Sequence, residues 1–180
     1  WSLESARSRF VRSFPVFVLG YRSRRFSDSL FSQLVHEMTK WFQEDLWVHS
    51  QGREIRDITP LVAELVDRSG IGIGLCHIFS THTSASLTVT ENADPAVHFD
   101  LEQFMQHVVP DGSSRYTHTS EGPDDMSGHI RSVLTDTTLT VPVADRRLVL
   151  GTWQSVYLWE HRARSHHRRL IVTVCGTPTC

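Results

Sequence analysis

The spacing of apolar residues along the chain predicts a series of strands interrupted by a few helices. Alternating or β-branched apolar runs, bounded by turn residues, are typical of strands. Such runs predict strands over 40–49, 53–59, two segments of 71–90 with a break near 80–84, 138–143, 148–161 and 168–175. The short polar segment 144–147 predicts a hairpin-type connection between two of them.

Helical spacing begins after the second predicted strand. Thr59 and Pro60 suit the N-cap and the first helical position, and Gly70 suits the end of that helix. A second helix is predicted over 96–109, opened by Asp94-Pro95. Its predicted apolar face consists of Val97, Leu101, Phe104, Met105 and Val108.

A third helix is predicted to begin at Asp124 and Asp125, because carboxylates are favourable at a helix N-terminus. Its predicted buried side consists of Met126, Ile130, Val133 and Leu134. Many strands, few helices and short connections together predict an α+β fold with a mainly antiparallel sheet.

The composition narrows the class of protein. The chain has 180 residues, of which 39% are hydrophobic and 21% charged, which is typical of one soluble globular domain. A net charge of −2 argues against partners such as nucleic acid or acidic membranes, and no apolar run is long enough to span a bilayer. Three cysteines without paired spacing favour a reducing compartment, so we expect a cytoplasmic protein.

The first 37 residues differ from the rest of the chain. They contain six Arg, eight Ser and only three acidic residues. This composition resembles either an organellar transit peptide or translated upstream sequence with Met38 as the first natural residue. We expect 1–37 to lie outside the domain and to be disordered, with a single domain over 38–180. A transit peptide would make the protein organellar.

The segment 80–86 is almost entirely small and polar, where a strand normally alternates with apolar residues. Thr83, Ser84 and Ser86 offer hydroxyl groups that could line a pocket for an anion or phosphate. A hydroxyl-rich strand edge or turn is the alternative. Asn92 and Asp94 lie just before the second predicted helix. Each could cap that helix or help to hold a phosphate at its N-terminus.

Histidines raise the question of a metal. The chain has eleven, and His118 and His129 flank a Gly-Pro turn and two aspartates. With His82 they would supply three imidazoles, the ligand set of a catalytic zinc site with one open position. Their spacing matches no zinc finger and no H-E-x-x-H motif, so surface or capping histidines are the alternative.

The strand predicted at 151–161 carries two polar residues on an otherwise apolar face. Gln154 and Glu160 each need a partner if they are buried. Glu160 could support a metal-bound histidine through its second nitrogen, or it could form a salt bridge with a nearby arginine.

Three long segments resemble the YjbQ family, whose members are often labelled secondary thiamine-phosphate synthases. They are HTSASLTVTENADP, YTHTSEGPDDMSGHI and LGTWQSVYLWEHR, in this order and spacing. The resemblance covers about 38–176 and implies an antiparallel β-sandwich with a few packed helices. It also implies a homotrimer with a shallow cleft near subunit boundaries, where some members hold a metal.

The resemblance also assigns roles to individual residues. It implies His82, His118 and His129 as ligands of a divalent metal, for which imidazole favours zinc over Mg²⁺. It implies Asn92, Asp94, Asp125 and Glu160 as catalytic residues. Thr83, Ser84, Ser86 and Gln154 are then expected to bind the substrate.

The label implies a transfer that joins hydroxymethylpyrimidine diphosphate to thiazole phosphate. A site rich in histidine, without a Gly-rich phosphate loop, does not resemble the usual Mg²⁺ machinery for a leaving diphosphate. We therefore expect that activity to be weak. The alternatives are metal-assisted hydrolysis or transfer on a small phosphorylated metabolite, and a trimer that binds an anion without turnover.

Overall fold

A computed structural model describes residues 39–179, and they form eight strands and three helices. The predicted extension 1–37 lies outside these described residues. The strands are β1 (Lys40–His49), β2 (Glu54–Asp57), β3 (Ile71–Ser80), β4 (Ala85–Glu91), β5 (Thr138–Ala144), β6 (Arg147–Leu148), β7 (Gln154–Glu160) and β8 (His167–Pro178). The helices are α1 (Thr59–Ser69), α2 (Pro95–Val108) and α3 (Asp125–Leu134).

The strands form two sheets in which every pairing is antiparallel. The larger sheet has the order β1-β8-β3-β5-β6, and the smaller has the order β2-β7-β4. The β5–β6 hairpin turns through Asp145 and Arg146, both with positive φ (49° and 61°), as a tight two-residue turn requires. The predicted α+β fold with mainly antiparallel strands is confirmed.

The main hydrophobic core lies between the two sheets and against α1. Alternate residues of β8 point into it, because successive side chains of a strand face opposite sides. Its fully buried members include Ile78, Leu87, Val156, Leu158, Leu170 and Val172, together with Val62 and Val66 of α1. Each such side chain contributes about 1.5–3 kcal/mol through the apolar surface that it removes from water.

Strand β7 is buried on both faces, so its two sides show which layers of the molecule lie above and below the smaller sheet. Leu158 faces the main core, whereas Trp159 faces the other way and packs with Met105 and Val109 at the end of α2. Leu101 of α2 and Ile130 of α3 pack against the same cluster. The smaller sheet is therefore the middle layer, between the larger sheet and these two helices.

The predicted buried faces of the helices are partly wrong. On α2, Phe104 is 64% exposed and Val108 is 51% exposed. On α3, Val133 and Leu134 are exposed as well, and the buried residues are instead small or polar: Asp125, Ser127, Gly128, Arg131 and Ser132. Helix α3 lies close to the sheet at Gly128, where an added Cβ would stand 3.2 Å from the Ser84 Cβ. Because the contact is so close, α3 packs through the side that carries Gly128 and not through the bulkier Val133 and Leu134.

Two local predictions differ from the structure. The predicted strand 148–161 is divided into β6 and β7 by the turn that contains Gly151. Helix α1 begins one residue earlier than expected, with Ile58 as its N-cap, and it ends at Gly70 in the left-handed conformation as predicted. The Thr59 hydroxyl accepts a hydrogen bond from the Val156 backbone N–H at 2.8 Å, so it ties α1 to β7. Among the described residues, no helix has the length and apolarity needed to cross a membrane.

Candidate metal centre

Two imidazoles and a carboxylate converge at the start of α3. The Asp125 Oδ2 atom lies 2.8 Å from His118 Nε2 and 3.2 Å from His129 Nε2. All three atoms fall within 4.8 Å of one another. Ligand atoms around a tetrahedral zinc ion are about 3.3 Å apart, which is close to the two spacings from Asp125, and two imidazoles with a carboxylate are donors that suit such an ion.

The local sequence explains why these groups meet. Asp125 and His129 are four residues apart on α3, so they lie on the same face of the helix. His118 reaches them from the loop before α3, and the two imidazole rings are 5.5 Å apart between centroids. The Asp125 side chain is buried, whereas the His118 side chain is 46% exposed. The cluster therefore has a buried carboxylate floor and an open side.

Hydrogen bonds outside the cluster fix the orientation of its members. The Thr83 carbonyl lies 2.9 Å from His129 Nδ1 and can only accept, so Nδ1 donates to it and the ring directs Nε2 toward the cluster. Arg162 binds the other carboxylate oxygen of Asp125 and also contacts Asp124 at 3.2 Å. These contacts leave Asp125 Oδ2 directed at both imidazoles.

Asp124 anchors the same arrangement to the loop after β7. Its carboxylate accepts a hydrogen bond from the Ala163 backbone N–H at 2.7 Å in addition to the contact with Arg162. Burial raises the pKa of Asp124, but these hydrogen bonds outweigh burial and hold the pKa below its usual value. Asp124 therefore stays ionised and keeps Arg162 in place beside Asp125.

His82 does not join the other two predicted histidines. Its Nε2 accepts a hydrogen bond from the Arg169 backbone N–H at 2.7 Å, which takes that lone pair away from any metal. Burial and the positive charge of Arg168 lower its pKa. Within residues 39–179, Asp125 rather than the predicted His82 is the third member of the cluster.

The predicted substrate hydroxyls are mostly used inside the protein. Ser86 is fully buried, and its Oγ lies 2.9 Å from His161 Nε2. Ser84 is buried beneath α3, and its Oγ accepts a hydrogen bond from Arg168 at 3.3 Å. Neither hydroxyl can face a substrate as expected. Thr83 is exposed next to His129, so its side chain remains available.

Glu160 is also held in the interior. The carboxylate is fully buried and pairs with Arg168, whose Nε donates to Oε2 at 2.7 Å. Ser50 Oγ and the Arg162 backbone N–H donate to it at 2.8 and 2.9 Å. The salt-bridge alternative is therefore the one the structure contains. A general base must reach its proton, so these contacts argue against a catalytic role for Glu160.

His161 is a buried polar residue that is not among the site residues predicted from the sequence. Its ring is fully buried against Trp159, and its Nδ1 has no protein partner among the described residues. The only signal in the sequence was its place at the end of the third family motif. Burial lowers its pKa to about 3, and the positive charges of Arg131 and Arg53 add to that effect.

We expect the buried His161 to make the protein sensitive to acid. Its folded pKa lies below the ordinary value of 6.5, so between these values the unfolded chain binds a proton that the folded protein does not. The free energy of unfolding should fall as pH decreases through this window, by at most about 1.4 kcal/mol per pH unit. Urea unfolding at pH 7 and at about pH 4.5 measures the loss. The His161→Gln variant should lose less over the same interval, and an equal loss would contradict the assignment.

The remaining predicted site residues lie at the other end of the β4–β7 pair. Ala85 is paired with Glu160 next to the histidines, and Glu91 is paired with Gln154 six residues further along. At about 3.4 Å per residue the two ends are about 20 Å apart. Asn92 donates to the Gln154 carbonyl at 3.3 Å, and Asp94 caps α2 by accepting from the Ala96 N–H at 2.8 Å. Within one protomer, these residues do not meet the metal ligands.

Comparison with known proteins supports the family that the motifs suggested. The family model described as UPF0047 protein YjbQ-like matches residues 44–177. UPF0047 protein sll1880 of Synechocystis is 48% identical over 134 residues, which cover 74% of this chain and 91% of that protein. UPF0047 protein YjbQ of Escherichia coli O157:H7 is 42% identical over 137 residues, covering 76% of this chain and 99% of the relative.

A solved structure agrees with the fold. The crystal structure of a YbjQ-like protein of unknown function from Sulfolobus solfataricus P2 has a TM-score of 0.70 and 26% identity. The superposition covers 77% of this chain and 99% of that chain. The sandwich fold, the order of the sequence motifs and the match to the family model all indicate the same family. The chain therefore belongs to the UPF0047 protein YjbQ-like family.

Proposed function

We propose that the protein binds a zinc-like divalent metal at His118, Asp125 and His129 and uses it to hydrolyse or transfer the phosphoryl-bearing group of a small phosphorylated metabolite. The observation that carries the proposal is the convergence of two imidazole nitrogens and one carboxylate oxygen within 4.8 Å. The hydrogen bond from His129 Nδ1 to the Thr83 carbonyl supports it, because it turns the other ring nitrogen toward the cluster.

The donor set favours a transition metal over Mg²⁺. Mg²⁺ prefers oxygen ligands and retains several waters, whereas imidazole suits zinc and its neighbours. When bound, such an ion would polarise a phosphoryl oxygen and make a nearby water more acidic. Three protein ligands would leave a position open, and the exposed side of His118 gives small molecules access to it.

The protein's own residues would orient and bind. Arg162 keeps the Asp125 carboxylate directed at the histidines, and Asp124 keeps Arg162 in place. The carbonyl that orients His129 is that of Thr83 itself, and the Thr83 side chain is exposed, so its hydroxyl is the candidate to hold a substrate oxygen. Arg131 is fully buried and bonded to the Val109 carbonyl, so it cannot clamp a phosphate.

Thiamine-phosphate synthase activity is the narrower proposal that the family label suggests. One carboxylate among imidazoles is a poor match for the Mg²⁺ ions that usually neutralise a leaving diphosphate. We therefore propose this transfer as a weak activity of the same centre. Mg²⁺ dependence would favour the synthase, whereas zinc dependence would favour hydrolysis.

We also propose that the protein works as a cytoplasmic homotrimer, without nucleic acid or membrane partners. The outer face of the larger sheet supports an assembly, because Trp41, Leu75 and Phe79 lie exposed on it. Exposed apolar patches of this kind are typical of surfaces that bind another protein chain.

The test of the proposed function is a metal-dependent assay on the full chain. After chelation, the protein receives Zn²⁺ or Mg²⁺ and is tested with small phosphate esters, and separately with hydroxymethylpyrimidine diphosphate plus thiazole phosphate. We expect zinc to restore turnover and Asp125→Asn to reduce it about 10²-fold or more, since several kcal/mol of charge stabilisation would be lost. Binding of phosphate without any turnover would favour the anion-binding trimer instead.

A further inference from the structure

A cavity of about 440 Å³ lies at the end of β4 and β7 that is remote from the histidines. Its lining residues are Thr90, Glu91, Ala93, Trp153 and Gln154. This volume falls in the range of cavities that hold small organic molecules. None of these five residues belongs to the candidate metal centre, so the cavity is a separate feature of the fold.

Hydrogen bonds hold the walls of the cavity in place. The Asn92 side chain donates to the carbonyls of Thr152 and Gln154 at 3.4 and 3.3 Å, and its backbone N–H donates to the Trp153 carbonyl at 3.1 Å. The Gln154 Oε1 accepts from the Gly151 N–H at 2.9 Å. These hydrogen bonds therefore hold the turn that carries Trp153 against the end of β4 and also fix the turn's own conformation.

The opposite wall is fixed through the backbone of Glu91. Its carbonyl accepts a hydrogen bond from the Tyr157 hydroxyl at 3.2 Å and lies 2.9 Å from His98 Nε2. A fixed backbone on both sides means that the cavity is present before any ligand binds. Preformed walls reduce the entropy cost of binding.

The chemistry of the lining is that of a site for a cation. Glu91 supplies the only ionisable side chain of the lining, and no ion pair to it occurs within residues 39–179. Trp153 is 64% exposed, and an indole face attracts positive charge. A carboxylate without an ion pair and an exposed indole that line the same cavity disfavour phosphate and favour a flat, positively charged group.

We propose that this cavity binds a planar organic cation, such as an amidinium, a guanidinium or a protonated nitrogen heterocycle. The flat cation stacks on Trp153 and donates its N–H groups to the Glu91 carboxylate. The Gln154 side chain lies on the same sheet face as its cross-strand partner Glu91 and supplies a further polar contact at the rim. This site is separate from the metal centre and does not depend on it.

The test compares benzamidinium with benzamide, a neutral molecule of nearly the same shape. Each is titrated into the full chain, and binding is followed by the NMR signal of the Trp153 indole N–H, assigned with Trp153→Phe. We expect benzamidinium to bind about tenfold more tightly than benzamide, on the scale of a cation–aromatic contact with an ion pair. Glu91→Gln should remove that preference, and Trp153→Ala should weaken both probes.

Several outcomes would overturn the inference. Equal binding of the two probes would do so, as would an unchanged preference in Glu91→Gln or the absence of saturable binding. Both substituted side chains are at least partly exposed, so we expect the variants to fold, and circular dichroism is the check on folding. His118→Ala serves as the control, because it changes the candidate metal centre and not the cavity. It should leave probe binding unchanged whether or not the metal-dependent activity is found.

Discussion

Replacing His118 and His129 together by alanine is expected to abolish metal binding. The parent protein should purify with, or take up, close to one equivalent of a transition metal, because two imidazoles and one carboxylate are already assembled. The double variant keeps only Asp125, whose remaining contact is with Arg162. One carboxylate cannot hold a zinc-like ion with useful affinity, since such sites use three or four protein ligands.

Elemental analysis and zinc titration of the two proteins measure this result. The matched control is His77→Ala/His107→Ala, which removes two exposed histidines elsewhere and should keep the metal. The single variant His82→Ala separates two ligand sets. Because His82 Nε2 is bonded to Arg169, we expect that variant to retain the metal. A parent protein that holds no metal even after zinc is added would refute the centre and the mechanism built on it.

The second large effect concerns stability. Arg168→Met should cost about 3–5 kcal/mol of unfolding free energy, the usual consequence of leaving a buried charge without its partner. Glu160 is fully buried, and Arg168 contacts both of its oxygens. The hydrogen bonds from Ser50 and Arg162 would remain but cannot neutralise the carboxylate.

Thermal and urea unfolding test this expectation, with a lowering of Tm by about 6–20 °C for a chain of this length. The neighbouring variant Arg169→Met is the control, because Arg169 forms an exposed pair with Asp45. That pair should contribute about 1 kcal/mol or less. The double variant Glu160→Gln/Arg168→Met should recover part of the loss, since the unpaired charge is gone. Equal losses in Arg168→Met and Arg169→Met would show that burial of the pair does not matter.

Local signals in the sequence predicted most of the elements. Gly70 ends α1 and Asp94 caps α2, because these residue types satisfy a helix terminus without help from the rest of the fold. The hairpin at Asp145 and Arg146 was equally local. Long motifs then identified the family, which a few scattered histidines could not have done.

The buried faces could not be predicted in the same way. Val133 and Leu134 had the apolar character of a buried side, yet α3 buries Gly128 and Arg131. Strand β7 is covered on both sides by different layers, which its own residues do not specify. Periodicity assigns a face to an element, but the neighbouring layers decide whether that face is covered.

Sequence patterns were sufficient to predict the antiparallel α+β fold, to identify the family and to place His118, Asp125 and His129 in one segment. The three-dimensional structure was needed to show that Asp125 rather than His82 completes the cluster, and that Asn92 and Gln154 lie about 20 Å away. Spacing within one segment shows which neighbours share a helix face, as Asp125 and His129 do. The position of His82 instead depends on its contact with Arg169, 87 residues along the chain, and the local pattern around either residue does not specify that contact.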